Sequence, residues 1–558
     1  TMVDPIRGSP STSAVVDEPV LEEAVRQDVQ STLQLEVELA ANSPRKQTTG
    51  SFPEKGRDVQ LGLVKEDEAC SEYRGRLRNV HWRTLVYLCA VTSSLTSILL
   101  GYDVGVMSGA ILNIAEDLDL GTVQQEIIVG SLNLIAAFGG LVAGKLADQL
   151  GRRSAIGVAC CIFIAGSLLK ILSSHFWMLL SGRVVTGVGV GCGFVVAPVY
   201  ISEITPPKLR GRLVALTDIS INLGILIGYL TAYGVQVGVR SGPGARWRLM
   251  LGVSLAPPVV ILACLLFLPE SPRWLVAQGR RAEGLAVLRR VLPPGGAAEA
   301  ALADIEGLVR EEGRAAGWRE VLLSSARPLR RVVGVVLGLG FWQQASGSES
   351  VIYYTPIILR RAGMASTRQV LLGNLLVGGC KLGGELACAL LVERAGRRPL
   401  LLASAALQTL CLFAVAAAVG AGSSAGLDLF LLAAFMWWFS FGLGPVTWVS
   451  AAELTPLSVR SKALASAVFL NRAVSGTVAL SFLSLSDALS IPGAFVFYGC
   501  LSLASVAFYY LRVPETKGKS LEEIQRALFP QREEQQGDHS RSGDGSAEMQ
   551  SSSSTAAV

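Results

Sequence analysis

Charge and histidine are scarce in this sequence. Only 17% of its 558 residues are Asp, Glu, Lys or Arg, against about a quarter in ordinary soluble domains. With 51% hydrophobic residues and a mean hydropathy of +0.46, the chain suits a lipid bilayer, not water. Three histidines are too few for a His-rich metal site. The ten cysteines show no CxxC spacing, and most lie inside apolar runs (Cys89, Cys160, Cys161, Cys192, Cys264, Cys388, Cys411, Cys500). They read as small helix- or lipid-facing residues, with neither a metal site nor a secreted disulfide framework. No nucleophile–base arrangement is visible, so an enzyme is not expected, and neither are a cofactor, a metal or a nucleic-acid partner. The net charge of +5 matters less than where the basic residues fall.

Residues 1–80 are polar, rich in Ser, Pro, Glu and Gln, and lack an apolar run. They are expected to form a disordered tail without a cleaved signal peptide. The cluster Arg74, Arg76, Arg78 and Arg83 precedes the first apolar run and predicts a cytoplasmic N-terminus. Twelve spans follow, near 84–109, 124–147, 155–174, 176–200, 211–234, 247–268, 330–355, 367–392, 398–420, 428–451, 461–485 and 491–512. Each is long enough to cross a hydrocarbon core of about 30 Å. The loops DQLGRRS, TPPKLRGR, ERAGRRP and TPLSVRSK fall on one side, predicted cytoplasmic, and short Ser-, Gly- and Asp-bearing loops on the other. Arg240, Arg246, Arg248, Arg360 and Arg361 run against that rule. Between spans six and seven, RRAEGLAVLRR and AALADIEGLVREE have the spacing of amphipathic helices lying on the cytoplasmic face. The polar, Ser-rich stretch 513–558 predicts a second cytoplasmic tail. The expected organisation is thus a tail (1–80), a six-helix half (81–275), a linker (276–330), a second half (331–512) and a C-terminal tail (513–558).

An internal repeat is the strongest organising signal. Asp148-Gln-Leu-Gly-Arg-Arg recurs as Glu393-Arg-Ala-Gly-Arg-Arg, Glu203-Ile-Thr-Pro as Glu453-Leu-Thr-Pro, and Pro269-Glu-Ser-Pro as Pro514-Glu-Thr-Lys, at offsets of 245, 250 and 245 residues. Parallel repeats of this kind build transporters with a midplane site between the halves. In Leu95–Gly109 a single carboxylate, Asp103, is set among glycines and apolar residues. An ionised acid inside a span costs several kcal/mol without a partner or a wet cavity, so Asp103 marks a functional site. The alternative is an acid that snorkels, or stays neutral, near a helix end.

These motifs, GxxxDxxGRR (Gly144 to Arg153), PESPRWL (Pro269 to Leu275), ERAGRR (Glu393 to Arg398) and PETKG (Pro514 to Gly518), resemble those of the sugar porter family of the major facilitator superfamily. The resemblance covers about residues 80–525. It implies an all-α membrane protein of twelve helices in two pseudo-symmetric halves. It also implies a cytoplasmic gate in which Asp148, Arg152, Arg153, Glu203 and Arg210, mirrored by Glu393, Arg397, Arg398, Glu453 and Arg460, bridge neighbouring spans and close that side in the outward-open state. Arg183 in span four lies at a depth similar to that of Asp103 by the 1.5 Å rise. A guanidinium there favours the ionised acid, whereas burial alone favours the neutral one. In proton-coupled relatives the matching Asp takes up a proton and releases the matching Arg; a static ion pair in a uniporter is the alternative.

For the substrate, the resemblance implies that Gln343 and Gln344 in span seven hydrogen-bond sugar hydroxyls, with Glu349 where Asn is common. Tyr353, Tyr354 and Trp448 offer flat faces. Asp218 in span five, Lys381 in span eight and Asn471-Arg472 in span eleven depart from hexose carriers and resemble plant polyol/monosaccharide transporters. Asp218, Gln343, Gln344, Glu349, Lys381, Trp448 and Asn471 are therefore the expected substrate-binding residues. A mid-span ammonium needs a counter-charge, and Glu349 is the expected partner of Lys381. The reading is a monomeric, multi-pass, proton-coupled symporter of polyols and monosaccharides, in the plasma membrane or alternatively the vacuolar membrane. A uniporter of the same fold and a non-transporting sugar sensor are the alternatives.

Overall fold

The computed structural model describes residues 82–293, 296–312, 318, 321, 327–456, 459–519 and 523–524. The tail expected over 1–80 and most of that expected after 513 lie outside the described residues.

Nearly every described residue is helical. The first half holds α1 (Trp82–Asp117), α2 (Thr122–Leu150), α3 (Arg152–Ile171), α4 (Phe176–Ile204) and α5 (Pro207–Gly238). Its sixth span is α6 (Pro243–Gly252), a 3-10 turn at Val253–Leu255 and α7 (Ala256–Leu265). Three short helices follow, α8 (Pro272–Ala277), α9 (Arg281–Val291) and α10 (Ala297–Glu312); α9 and α10 coincide with the two amphipathic stretches. The second half comprises α11 (Arg327–Ala345), α12 (Ser348–Arg361), α13 (Thr367–Ala395), α14 (Arg397–Gly420), α15 (Ala425–Trp438), a π turn at Phe439–Leu443, α16 (Gly444–Leu454) and α17 (Arg460–Arg512).

Among the described residues, ten helices are long and apolar enough to cross a membrane. Two departures account for the twelve spans expected. Span seven is broken between α11 and α12 at Gly347, whose φ of 80° starts a new helix. Spans eleven and twelve run on as α17, 53 residues, or roughly 80 Å at 1.5 Å per residue. That is far more than one bilayer, and the chain turns back where Ser490 adopts φ 68° just before Pro492.

Close helix packing fixes where Asp103 points. A Cβ on Gly101 would lie 2.0 Å from the Ile221 carbonyl oxygen, and one on Gly105 2.3 Å from that of Ile225. These glycines, four apart, let α1 press its backbone against α5. Asp103, two residues from each and so on the opposite face, turns toward α3 and α4.

The basic loop motifs gather at one end of the bundle, here the charged end. There the two halves repeat one device. The Glu270 carboxylate accepts the backbone N–H of Arg152 (2.8 Å) and Arg153 (3.0 Å), and Glu515 accepts those of Arg397 (3.1 Å) and Arg398 (3.0 Å). Each acid satisfies the bare N–H groups at a helix start, where the helix dipole also favours negative charge. Gly151 (φ 91°) and Gly396 (φ 94°) make room, since a Cβ would stand 2.4 Å and 3.0 Å from the respective carboxylates. Arg152 then pairs with Glu203 (2.9 Å) and Asp148 (3.3 Å), and Arg397 with Glu453 (2.9 Å) and Glu393 (3.1 Å). Burial alone would raise the Glu515 carboxyl, but N–H donors from Lys517, Arg397, Arg398 and Thr516 outweigh it and hold it below the usual glutamate range. The chain just beyond residue 513 is therefore anchored rather than a free tail: Val513, Thr516 and Ile524 are all buried.

The expected gate residues thus bridge neighbouring spans of the same half in this conformation. Arg210 is exposed. Arg460 donates to the Thr455 carbonyl at 3.0 and 2.9 Å, not to Glu453. Hydrogen bonds crossing between the halves lie instead at mid-membrane and toward the far end. Ser484 N donates to Glu126 (2.8 Å), Tyr229 Oη to the Ile352 carbonyl (2.7 Å), and Asn374 Nδ2 to Ser108 Oγ (3.1 Å). The far end is the closed one. Two of the arginines that run against the charge rule are neutralised there, Arg248 by Asp117 (3.2 Å) and Arg361 by Asp487 (3.0 Å).

Candidate functional site

Between the halves lies a partly open cavity lined by polar, charged and aromatic side chains. Asp218, Gln343, Gln344, Glu349, Lys381 and Trp448 line it, joined by Glu385, Arg472, Asn222 and the rings of Phe194 and Phe439. Six of the seven expected binding residues thus share one wall system contributed by both halves.

Asn471 is the exception. It is fully buried and stands one layer behind, donating to Gln343 Oε1 (2.7 Å) and the Gly340 carbonyl (2.9 Å). Its neighbour Arg472, about 100° further round the helix, faces the cavity and lies 5.5 Å from the Phe194 ring centre. Gln343 Nε2 in turn donates to the carbonyls of Leu443 (3.2 Å) and Gly444 (2.7 Å), beside the π turn. Its amide is consumed in shaping the wall. Gln344 accepts from Ser348 (3.1 Å), and its amide nitrogen has no hydrogen-bond partner among the described residues. Tyr353 and Tyr354 are buried away from the cavity, Tyr354 donating to the Ala479 carbonyl at 2.6 Å, so Trp448, Phe194 and Phe439 supply the flat faces.

Lys381 does not pair with Glu349. Among the described residues no carboxylate lies within ion-pair distance of its Nζ, which sits 5.1 Å from the Phe439 ring centre. Glu349 instead meets Asn133 Nδ2 across the halves at 3.4 Å. Glu385, one turn after Lys381, accepts from Asn222 Nδ2 at 2.5 Å, again across the halves. The ammonium thus balances several carboxylates at a distance and leaves their oxygens available. Sequence reasoning passed over Glu385, although its i,i+4 spacing from Lys381 marks it as lying on the same helix face.

Asp103 lies outside the cavity wall and is 0% exposed, which rules out snorkelling. Arg183 Nη1 donates to its Oδ2, the pairing the sequence suggests. Two backbone carbonyls of α2 hold the rest of that guanidinium, Ile128 at 2.8 Å and Val129 at 2.9 Å. A second cation is also present: Lys170 of α3, itself 0% exposed, donates to Asp103 Oδ1. A lone lysine near a span end reads in sequence as a snorkelling interface residue, so only the fold reveals it. Among the described residues no three His, Cys, Asp or Glu gather as metal ligands.

Comparison with known proteins gives a consistent result. The family described as "Sugar (and other) transporter" matches residues 88–528. "Probable polyol transporter 4" of Arabidopsis thaliana is 39% identical over 469 residues, covering 82% of this chain and 88% of that protein. "Arabinose-proton symporter" of Escherichia coli is 30% identical over 457 residues, covering 80% and 94%. Among solved structures, the proton:xylose symporter XylE bound to 6-bromo-6-deoxy-D-glucose shares the fold with a TM-score of 0.69 at 24% identity, covering 80% of this chain and 99% of that one.

Proposed function

Because the chain belongs to the sugar transporter family, with the major facilitator fold, we propose that it carries polyols and monosaccharides across a membrane by alternating access, in symport with protons. The observation that carries this reading is the cavity itself. Three carboxylates, two cations and a free amide donor converge there with three aromatic faces. A linear or cyclic polyol offers hydroxyls that both donate and accept, and each left unpaired on burial would cost about 1–3 kcal/mol. Charged groups at spaced positions satisfy such hydroxyls without demanding one ring geometry.

The basic loops support a cytoplasmic position for the charged end and, with it, for both termini. The latched far end then faces outward, and the described conformation is closed to the outside. To load, the halves separate at Tyr229–Ile352, Asn133–Glu349 and Ser484–Glu126. Substrate settles in the cavity, the contacts re-form, and release follows at the charged end. In the opposite state Arg152, Glu203, Arg397, Glu453 and their neighbours act as the cytoplasmic gate. The proton is handled by the Asp103–Arg183 cluster, which links α1 to α2 and α4. The protein works as a monomeric transporter, not an enzyme, in the plasma membrane, with the vacuolar membrane as the alternative location.

The test is uptake of labelled sorbitol, mannitol, hexoses and inositol into reconstituted vesicles, with and without a protonophore. Accumulation driven by a pH gradient, with matching loss of internal alkalinity, is expected. Uptake blind to pH would instead identify a uniporter.

A further inference from the structure

Lys170 changes the charge count at the coupling site. Arg183, Lys170 and Asp103 form a buried cluster in which one carboxylate meets two cations. With all three ionised its charge is +1. Protonating Asp103 would raise it to +2 with no water to screen it, whereas removing a proton from Lys170 would bring it to zero. Arginine does not give up its proton in proteins. A buried charge is costly unless balanced, and lysines in dry sites are the cations that do lose theirs.

The surroundings lead to the same conclusion. On α3 the Lys170 Nζ lies 5.5 Å from the Phe163 ring centre, and its hydrogen-bond acceptor is Asp103. From α4 it faces Arg183. On α2, the Glu126 carboxylate is engaged by Ser484. Beyond the end of α3, Arg248 of α6 donates to the Ser173 carbonyl (2.8 Å) and pairs with Asp117 of α1. Tyr353 and Tyr354 of α12 and Tyr102 of α1 are further titratable groups facing the cluster, and the Tyr353 oxygen meets Asn133 at 3.4 Å. Among the described residues, therefore, no second acid pairs with Lys170.

We infer that Lys170 Nζ, not the Asp103 carboxylate, is the group that gains and loses the transported proton, with Asp103–Arg183 kept as a standing ion pair. This rests on the symport reading above. On release the Nζ–H bond breaks, its electron pair stays on nitrogen, and the proton passes to water entering from the cytoplasmic side. On loading, Nζ takes a proton from outer water once the far end opens. The neutral amine still donates one hydrogen to Asp103, so the contact survives but its charge does not.

The experiment compares wild type, Lys170→Arg and Lys170→Met in vesicles, reading sorbitol accumulation, proton movement and sorbitol exchange. Arginine keeps the cation but cannot release it. Both variants are expected to keep exchange, now flat with pH, and to lose proton-driven accumulation. Lys170→Met also covers the case in which the larger guanidinium does not fit beside Gly182, where a Cβ would already lie 2.8 Å from Lys170 Cγ. Infrared difference spectra give a readout independent of transport: lowering pH should produce no protonated-carboxyl band that Asp103→Asn abolishes. Such a band, or Lys170→Arg accumulating like a proton-coupled wild type, overturns this inference alone. Wild type that equilibrates sorbitol without moving protons overturns the symport reading and this inference together.

Discussion

Removing one hydroxyl, in Tyr229→Phe, should shift the balance between the two states of the carrier. In α12 the Ile352 carbonyl would ordinarily accept the N–H four residues on, but that residue is Pro356, which has none. The Tyr229 hydroxyl fills the vacancy from the other half at 2.7 Å, from a side chain 2% exposed. Phenylalanine would leave a buried carbonyl unpaired at a cost of about 1–3 kcal/mol. With the far end open, water reaches that carbonyl and the cost disappears. The penalty therefore falls on the closed state alone, favouring the far-end-open form by about 5- to 150-fold. Spin labels at the exposed positions Val123 and Leu489, in a background with exposed Cys161 and Cys500 replaced by serine, would report the separation by electron–electron resonance. A growing long-distance population is expected. Identical distance distributions in mutant and parent would refute the claim that this bond latches the halves.

Lys381→Ala leaves Arg472 as the cavity cation facing Asp218, Glu349 and Glu385, so the ranking of sorbitol, mannitol, hexoses and inositol in competition assays should change; an unchanged ranking would show that Lys381 takes no part in selectivity. At Gly396 the backbone (φ 94°, ψ 163°) is nearly exclusive to glycine, and Gly396→Ala should cost about 1–3 kcal/mol, read as a lower unfolding midpoint in detergent. Glu515 bears on the same site through pH. Its folded carboxyl lies below the ordinary value, so its contribution is present above that ordinary value and is lost as pH falls through the folded one. Glu515→Gln should therefore be less stable than wild type at neutral pH, with the gap closing in acid; a gap independent of pH would refute that origin.

Local pattern made much of this molecule readable. Apolar length marked the spans, and the repeated GRR and Glu-x-Thr-Pro motifs marked the two halves. Asp218, Gln344, Glu349 and Lys381, which line the cavity, were legible through the resemblance to sugar porters and plant polyol/monosaccharide transporters, not through helix periodicity. What depended on rotation about a helix was not legible. Asn471 and Arg472 are adjacent, and only packing decides that the first orients Gln343 while the second faces the cavity. Lys170 carries no sequence signal of a buried charge, because the partner that makes it one is 67 residues away. Glu270 and Glu515 stood in plain view inside repeated motifs, but their targets are backbone groups, which leave no side-chain signature.

Those two glutamates also bear on how the protein is made. In each half the acid follows the arginine whose backbone it caps by 118 residues. At a synthesis rate of about 5–20 residues per second, the start of α14 waits roughly 6 to 24 s for Glu515 to emerge. A chain cut at residue 512 would carry all twelve spans and still lack the group that closes its second half. Completion of that half is thus tied to the emergence of Glu515, beyond the last span, and insertion of the membrane helices precedes it.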